Sequence, residues 1–298
     1  MKKYQLTLLS LCVAAFAQAK VTLPSFFTDN MVIQQNSQLT LPGKAKAGKQ
    51  VTVKVSWNYE KYTAKASADG HFSIEVPTPP AGGPFQITVS DGEKLVLNNV
   101  LSGEVWICSG QSNMEMPVAG WGKVMNYEQE VADADYPSIR LLQVKKTVAF
   151  SPQDNVEMNM NGWQECSSAT VPEFSSVAYF YARKLWKELN VPVGVIDCTW
   201  GGTPAESWTS HQTLKQVMGF QKKMAEMESA GFQREKLVEL YHQEMDEWLQ
   251  QFDARDAGFK DGVPQWISAL QTGNGWKPME LPAYWETRGL NFDGPVWF

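Results

Sequence analysis

The sequence predicts an α/β protein whose parallel sheet follows an all-β segment. Three observations carry this. From Val21 to about Val100, short stretches alternate apolar and polar residues between Asp-Gly and proline-rich punctuation. Two later runs, Val105–Cys108 and Val193–Ile196, are continuously apolar, the pattern of strands buried on both faces. Between them, Phe174–Leu189 spaces Val177, Phe180, Tyr181, Leu185 and Trp186 as an amphipathic helix. Strand, connection, helix, strand is the order that builds a parallel sheet.

The first residues read as a targeting segment. Lys2 and Lys3 precede the apolar stretch Leu6–Phe16, and Ala17-Gln18-Ala19 has the small-x-small cleavage pattern. Leu11, before Cys12, is not the small residue of a lipid-anchoring site. Residues 1–19 are therefore expected to be a signal peptide, and the remainder to be exported. No later stretch reaches the roughly 18–20 apolar residues of a membrane span.

Residues 20–100 are expected to form a small β-sandwich, with strands over Gln50–Trp57, His71–Val76 and Phe85–Val89. His71 follows an Asp-Gly turn on a polar edge and reads as a surface residue. The character changes at Leu101. Ile139–Val144 reads as one further strand, and Ser175 or Ser176 as a cap for the helix. Leu214–Phe252 is helical, with Leu237, Tyr241, Met245, Trp248 and Phe252 on one face and a break near Gly231. That stripe reads as packing, and His242 as solvated. Gly273–Phe298 is dense in Gly, Pro, Trp and Tyr, and the chain stops on an aromatic pair like the opening of a strand.

Composition narrows the function. The chain has 298 residues, 43% of them hydrophobic, and a formal charge of −6. Loss of Lys2 and Lys3 would make it about −8, which speaks against a nucleic-acid partner. Cys108, Cys166 and Cys198 remain after cleavage; the set is too sparse for a disulfide framework, although one bridge is possible. The histidines, His71, His211 and His242, have no zinc-site spacing. The sequence carries no signal for an oligomeric state.

Two stretches at expected strand ends can carry chemistry: Ser109-Gly110-Gln111-Ser112-Asn113, and Asp197 to Trp208 with Gly201-Gly202. In open α/β sheets that edge binds ligands. Ser112 offers a hydroxyl on a sharp turn, and Gly201 and Gly202 offer backbone N–H groups without side chains in the way. A nucleophile and oxyanion donors are two of the three parts that ester hydrolysis needs. The bland readings stand beside these. A Gly-x-Ser at a strand end is common, Met114 breaks the Gly-x-Ser-x-Gly elbow, paired glycines usually turn the chain, and a carboxylate such as Glu206 near a helix start usually serves the helix.

The blocks themselves carry a resemblance. GEVWICSGQSNMEMPV (Gly103–Val118) is similar to the nucleophile block of the sialate O-acetylesterase family, within the SGNH-type esterases. VPVGVIDCTWGGTPAESW (Val191–Trp208), FFTDNMVIQQ (Phe26–Gln35), AGGPFQITV (Ala81–Val89) and NVLSGEVW match further blocks in the family's order. The resemblance implies a flavodoxin-like SGNH hydrolase core preceded by a β-sandwich, and serine-dependent removal of acetyl groups from sugars, typically O-acetylated sialic acid. It implies Ser112 as nucleophile, and Ser112 with Gly201 or Gly202 as oxyanion donors. Gln111 and Asn113 would hold the turn, with Glu206 and Trp208 as support or pocket wall. No metal or organic cofactor is needed for that chemistry.

The family's Trp-Tyr-Gln-Gly-Glu block and its late Asp-x-x-His block do not occur here, and no histidine matches the catalytic one. His211 is the only histidine near a motif. The expected layout is therefore residues 101–270 as the N-terminal part of an incomplete core with a helical insertion, and 271–298 as the start of a truncated inserted β-domain. The chain is expected to lack its base and to be inactive alone. Two other functions stay open: an esterase acting on acetylxylan or another polysaccharide, and a glycan-binding protein that has lost catalysis.

Overall fold

A computed structural model describes residues 20–261, 263–267, 276–291 and 296. The expected signal peptide (1–19) lies outside the described residues, as do residues 271–275, 292–295, 297 and 298 of the expected opening of an inserted domain.

The N-terminal strands are β1 (Val32–Gln34), β2 (Gln38–Lys44), β3 (Gln50–Val55), β4 (Lys61–Lys65), β5 (His71–Pro77), β6 (Gly82–Ser90) and β7 (Lys94–Gly110). After β7 come α1 (Ser112–Glu115), α2 (Tyr127–Ala132), β8 (Asp135–Gln143), β9 (Gln164–Ser167), α3 (Ser176–Leu189) and β10 (Val193–Thr199). Among the described residues the main sheet has the order β4-β3-β6-β7-β10-β8-β9, and β1 adds to β7. Strands β7, β10 and β8 are mutually parallel, whereas β3, β4, β6 and β9 pair antiparallel to their neighbours.

Strand β7 spans 17 residues and joins the two regions that the sequence separates at residue 100. Its first half pairs with β6, and its second half with β10. The alternation in β5 points Phe72, Ile74 and Val76 inward, and with Leu41 of β2 they meet Val51, Val53, Ile87, Val89 and Val100 in one apolar cluster. Leu142 and Trp163 belong to that same cluster, so it continues onto one face of the parallel strands. The opposite face, with Cys108, Ile139, Leu141, Val193 and Val195, packs under α3.

Two expectations shift in detail. Val105–Cys108 is not buried throughout, since Trp106 and Ile107 are 42% and 71% exposed. Beyond Gly103 the described residues place only β10 beside β7, so these side chains lack neighbours on the other flank. Helix α3 buries Ala178, Tyr179 and Ala182 and leaves Val177 exposed. The two alanines let the helix approach the sheet closely, Tyr179 is fully buried beside them, and Phe180, Leu185 and Trp186 pack partly buried around that contact. Ser175 is the cap, its hydroxyl accepting from the Ala178 amide.

Cys108, Cys166 and Cys198 are free thiols. Burial pushes Cys108 up to about 11 and Cys166 up to about 12, so both behave as inert apolar residues at neutral pH.

The chain divides into two compact units, residues 1–213 and 214–298. A short helix, α4 (His211–Leu214), lies at the division, followed by α5 (Gln221–Ser229) and α6 (Arg234–Arg255). Gly231 stands between the last two with a positive φ of 61°. The apolar stripe of α6 is about half exposed at Tyr241, Trp248 and Leu249. Among the described residues no helix is long and apolar enough to cross a membrane.

Candidate active site

The two glycine-bearing turns lie side by side because β7 and β10 are adjacent and in register, with Thr199 opposite Gly110. The Trp200 amide donates to the Gly110 carbonyl at 3.0 Å, so pairing continues past the last strand residue. A Cβ placed on Gly201 would lie 3.7 Å from the Ser112 Cα. The two turns that the sequence places at neighbouring strand ends are thus within reach of one small group.

Local chemistry forces the first turn. Gly110 has a φ of +146°, and a side chain there would collide with Met114 at 2.7 Å. Only glycine fits, and the chain then enters α1 with Ser112 as its first residue. The exposed Ser112 hydroxyl donates to Gln111 Oε1 at 2.7 Å. The Gly202 amide donates to the same Gln111 oxygen at 3.4 Å, so Gln111 bridges the two turns. Asn113 is exposed beside them.

The second turn is closed by its own side chains. Thr203 Oγ1 donates to the Trp200 carbonyl at 2.6 Å and accepts from Trp208 Nε1 at 2.8 Å. Gly202 adopts a φ of +76°, and the space above it is open for 4 Å. Glu206 and Trp208 lie on a short 3₁₀ turn, Ala205–Trp208. Trp208 lines a cavity of about 420 Å³ with Lys146, Val148, Cys198, Thr199 and Thr203. Neither residue hydrogen-bonds Ser112, whose hydroxyl goes to Gln111.

Three residues passed over in the sequence hold this edge. Glu115 reaches across to accept from the Gly201 amide and pairs with Lys146. Burial alone would raise its pKa, but the hydrogen bonds from Lys146 and Gly201 and the Lys146 charge outweigh that and hold it below the ordinary value. Asp197, 2% exposed, accepts from Gln143 Nε2 at 3.0 Å and Thr199 Oγ1 at 2.7 Å. Desolvation raises its pKa, although the hydrogen bonds from Gln143, Thr199 and the Ser175 backbone oppose the rise. Glu115, Lys146, Asp197, Gln143 and Trp121 line a second cavity of about 490 Å³.

The signal for Glu115 was present but ambiguous. Ser112-x-x-Glu115 has the spacing of a capping box, in which the carboxylate returns to its own helix. Here Gln111 occupies the cap position, no side chain caps the helix, and Glu115 is free to bond the next turn instead.

A serine hydroxyl and two glycine turns thus meet at the carboxyl edge of parallel strands, the edge at which α/β proteins of this class bind ligands. The chain belongs to the carbohydrate esterase family of sialic acid-specific acetylesterases, whose sequence profile matches residues 102–281. Sialate O-acetylesterases of Pongo abelii and Homo sapiens are 34% and 33% identical over 209 residues, covering 64% of this chain. That of Rattus norvegicus is 30% identical over 210 residues. The chain spans 38–39% of the length of these relatives. A carbohydrate acetylesterase from Xanthomonas citri of known crystal structure is 32% identical, with a TM-score of 0.61 over 65% of this chain and 43% of that one.

Proposed function

We propose that the chain carries the nucleophile and oxyanion turns of a sugar O-acetylesterase, with O-acetylated sialic acid as its substrate. The observation that carries this reading is the juxtaposition of Ser112 with Gly201-Gly202. Ser112 Oγ attacks the acetyl carbonyl as a base takes its proton, and the carbonyl oxygen becomes an oxyanion held by backbone N–H groups of Ser112 and the glycine turn. Collapse breaks the bond to the sugar oxygen, which leaves as a hydroxyl with the proton from the base; water, giving a proton to the base, then attacks the acetyl-enzyme, and acetate leaves as that proton returns to Ser112 Oγ. Gln111 orients the hydroxyl and leaves it when the base engages. Trp208 serves as a wall for the sugar and Glu206 as support for the turn.

The likeness to a carbohydrate acetylesterase favours a second, broader reading, an esterase on acetylated polysaccharide such as xylan. Comparing acetate release from O-acetylated sialic acid and from acetylxylan separates the two. Sugar binding with no Ser112-dependent turnover would point instead to a glycan-binding protein.

The same reading assigns residues 20–100 to a small β-sandwich, 101–270 to the SGNH-type core with a helical insertion, and 271–298 to the opening of an inserted β-domain. The Lys2-Lys3 start and the apolar run after it support export. The test is acetate release by the protein as its gene encodes it beside its Ser112→Ala variant. Loss of at least about 10³-fold is expected for removal of a nucleophile, and equal turnover by the two would sink the reading.

A further inference from the structure

The sequence leaves open which glycine of the second turn faces the reacting oxygen, and the side chains around that turn decide it. The Gly201 amide is already taken, since it donates to Glu115 Oε2, and the other carboxylate oxygen is held by Lys146. An amide bound to a charged carboxylate is a poor donor for a second anion, because the two negative groups would then share one proton at close range. The contact is tight as well, for a Cβ on Gly201 would come within 2.7 Å of Glu115 Oε2. Gly202 is the opposite case. Its amide makes only a long 3.4 Å bond to Gln111 Oε1, the atom that also holds the Ser112 hydroxyl, and no atom lies within 4 Å of where its side chain would be. An acyl oxygen arriving at Ser112 can displace Gln111 from that amide at little cost.

We propose that Glu115, anchored by Lys146, is a positioning residue: by occupying the Gly201 amide it fixes the turn so that the Gly202 amide is the oxyanion donor beside Ser112. This rests on the esterase reading above. Lys146 has a second effect. Its charge neutralises a carboxylate that would otherwise stand one residue from the developing oxyanion and oppose it. Burial supports the arrangement, since the Glu115 side chain is only 16% exposed whereas Lys146 is 42% exposed. The pair thus has its carboxylate fixed in the protein and its cation at the surface.

The test has two arms. In the first, amide resonances are recorded after selective labelling of Trp–Gly pairs, which leaves Gly122 and Gly201 as the candidates. On the wild-type protein the Gly201 amide proton should lie downfield and move as Glu115 is protonated. In Glu115→Gln it should shift upfield at neutral pH. This arm needs no turnover and, on the wild-type protein, no variant that folds.

In the second arm, kcat and KM for acetate release are measured on the protein as its gene encodes it. Glu115→Gln should lower kcat about 10- to 100-fold, less than the loss typical of deleting an oxyanion donor outright, with KM within about twofold. Adding Lys146→Gln should restore part of kcat, because the two amides can pair and return a carbonyl to Gly201. A Gly201 resonance that ignores both pH and the Glu115 substitution overturns the proposal, as does an unchanged kcat in Glu115→Gln. If Ser112→Ala retains full turnover, the esterase reading fails on its own, and the resonance arm still decides the clamp.

Discussion

At the scale of single residues, two carboxylates beside the candidate site are pushed in opposite directions by their environments. Glu115 is held below its ordinary pKa and Asp197 above its own. A lowered carboxylate pKa means that the folded protein binds fewer protons than the unfolded chain. Stability from Glu115 is therefore complete above its unfolded value of 4.5 and is lost as pH falls through the lower, folded value. Chemical denaturation between pH 6 and pH 3 should show that loss, and Glu115→Gln should remove that component of it. A Glu115→Gln profile identical to wild type would mean that the ion pair does not couple to folding. Ser112, Gly201 and Gly202 were legible as candidates from residue type alone, because hydroxyls and bare amides at strand ends are chemically conspicuous. Glu115 was not, because its partner is 86 residues away and its local spacing imitates a helix cap.

At the scale of elements, the start of α3 does more than begin a helix. Ser175 is fully buried; its hydroxyl accepts from the Ala178 amide at 3.2 Å and donates to the Met114 carbonyl at 2.5 Å, tying α3 to the helix that begins at Ser112. Its backbone also helps to hold Asp197. Ser175→Ala should cost about 1–2 kcal/mol from the lost cap, read as a drop in melting temperature of a few degrees. A change under about 0.3 kcal/mol would contradict a capping role of the size expected from such serines. The cap was readable because serine before an apolar-periodic run is a local signal. Of the expected face of α3, Phe180, Leu185 and Trp186 pack against the core and Val177 does not, while Ala178, Tyr179 and Ala182, which lie deepest, were not picked out by the apolar spacing. In β7 the reading succeeded for the strand and missed its length, since 17 residues of one strand serve two different partners in turn.

At the scale of the first compact unit, the segment Phe26–Gln35 ties the N-terminal strands to the parallel ones. Trp163 Nε1 donates to the Phe26 carbonyl at 2.9 Å, and Arg140, 3% exposed, donates to the carbonyls of Asn30 and Pro137 at 3.2 and 2.8 Å. Arg140 also meets Glu165 at 3.2 Å. Arg140→Ala would strand these acceptors and should cost about 2–3 kcal/mol. Loss of that size in urea, with a single transition at all probes, is the expected result. Separate transitions for the N-terminal strands and the parallel sheet would show that β7 does not couple them. This seam could not be read from the sequence, because it joins segments more than a hundred residues apart through carbonyls that every residue possesses. The boundary expected near residue 100 reflected a real change in sequence pattern, and β7 runs straight across it.

The measurement that most directly tests the account is acetate release from O-acetylated sialic acid by the protein as its gene encodes it, beside its Ser112→Ala variant. The account predicts turnover in the first and a background rate in the second, with both proteins folded. Equal rates, or no release by the wild-type protein, would contradict it.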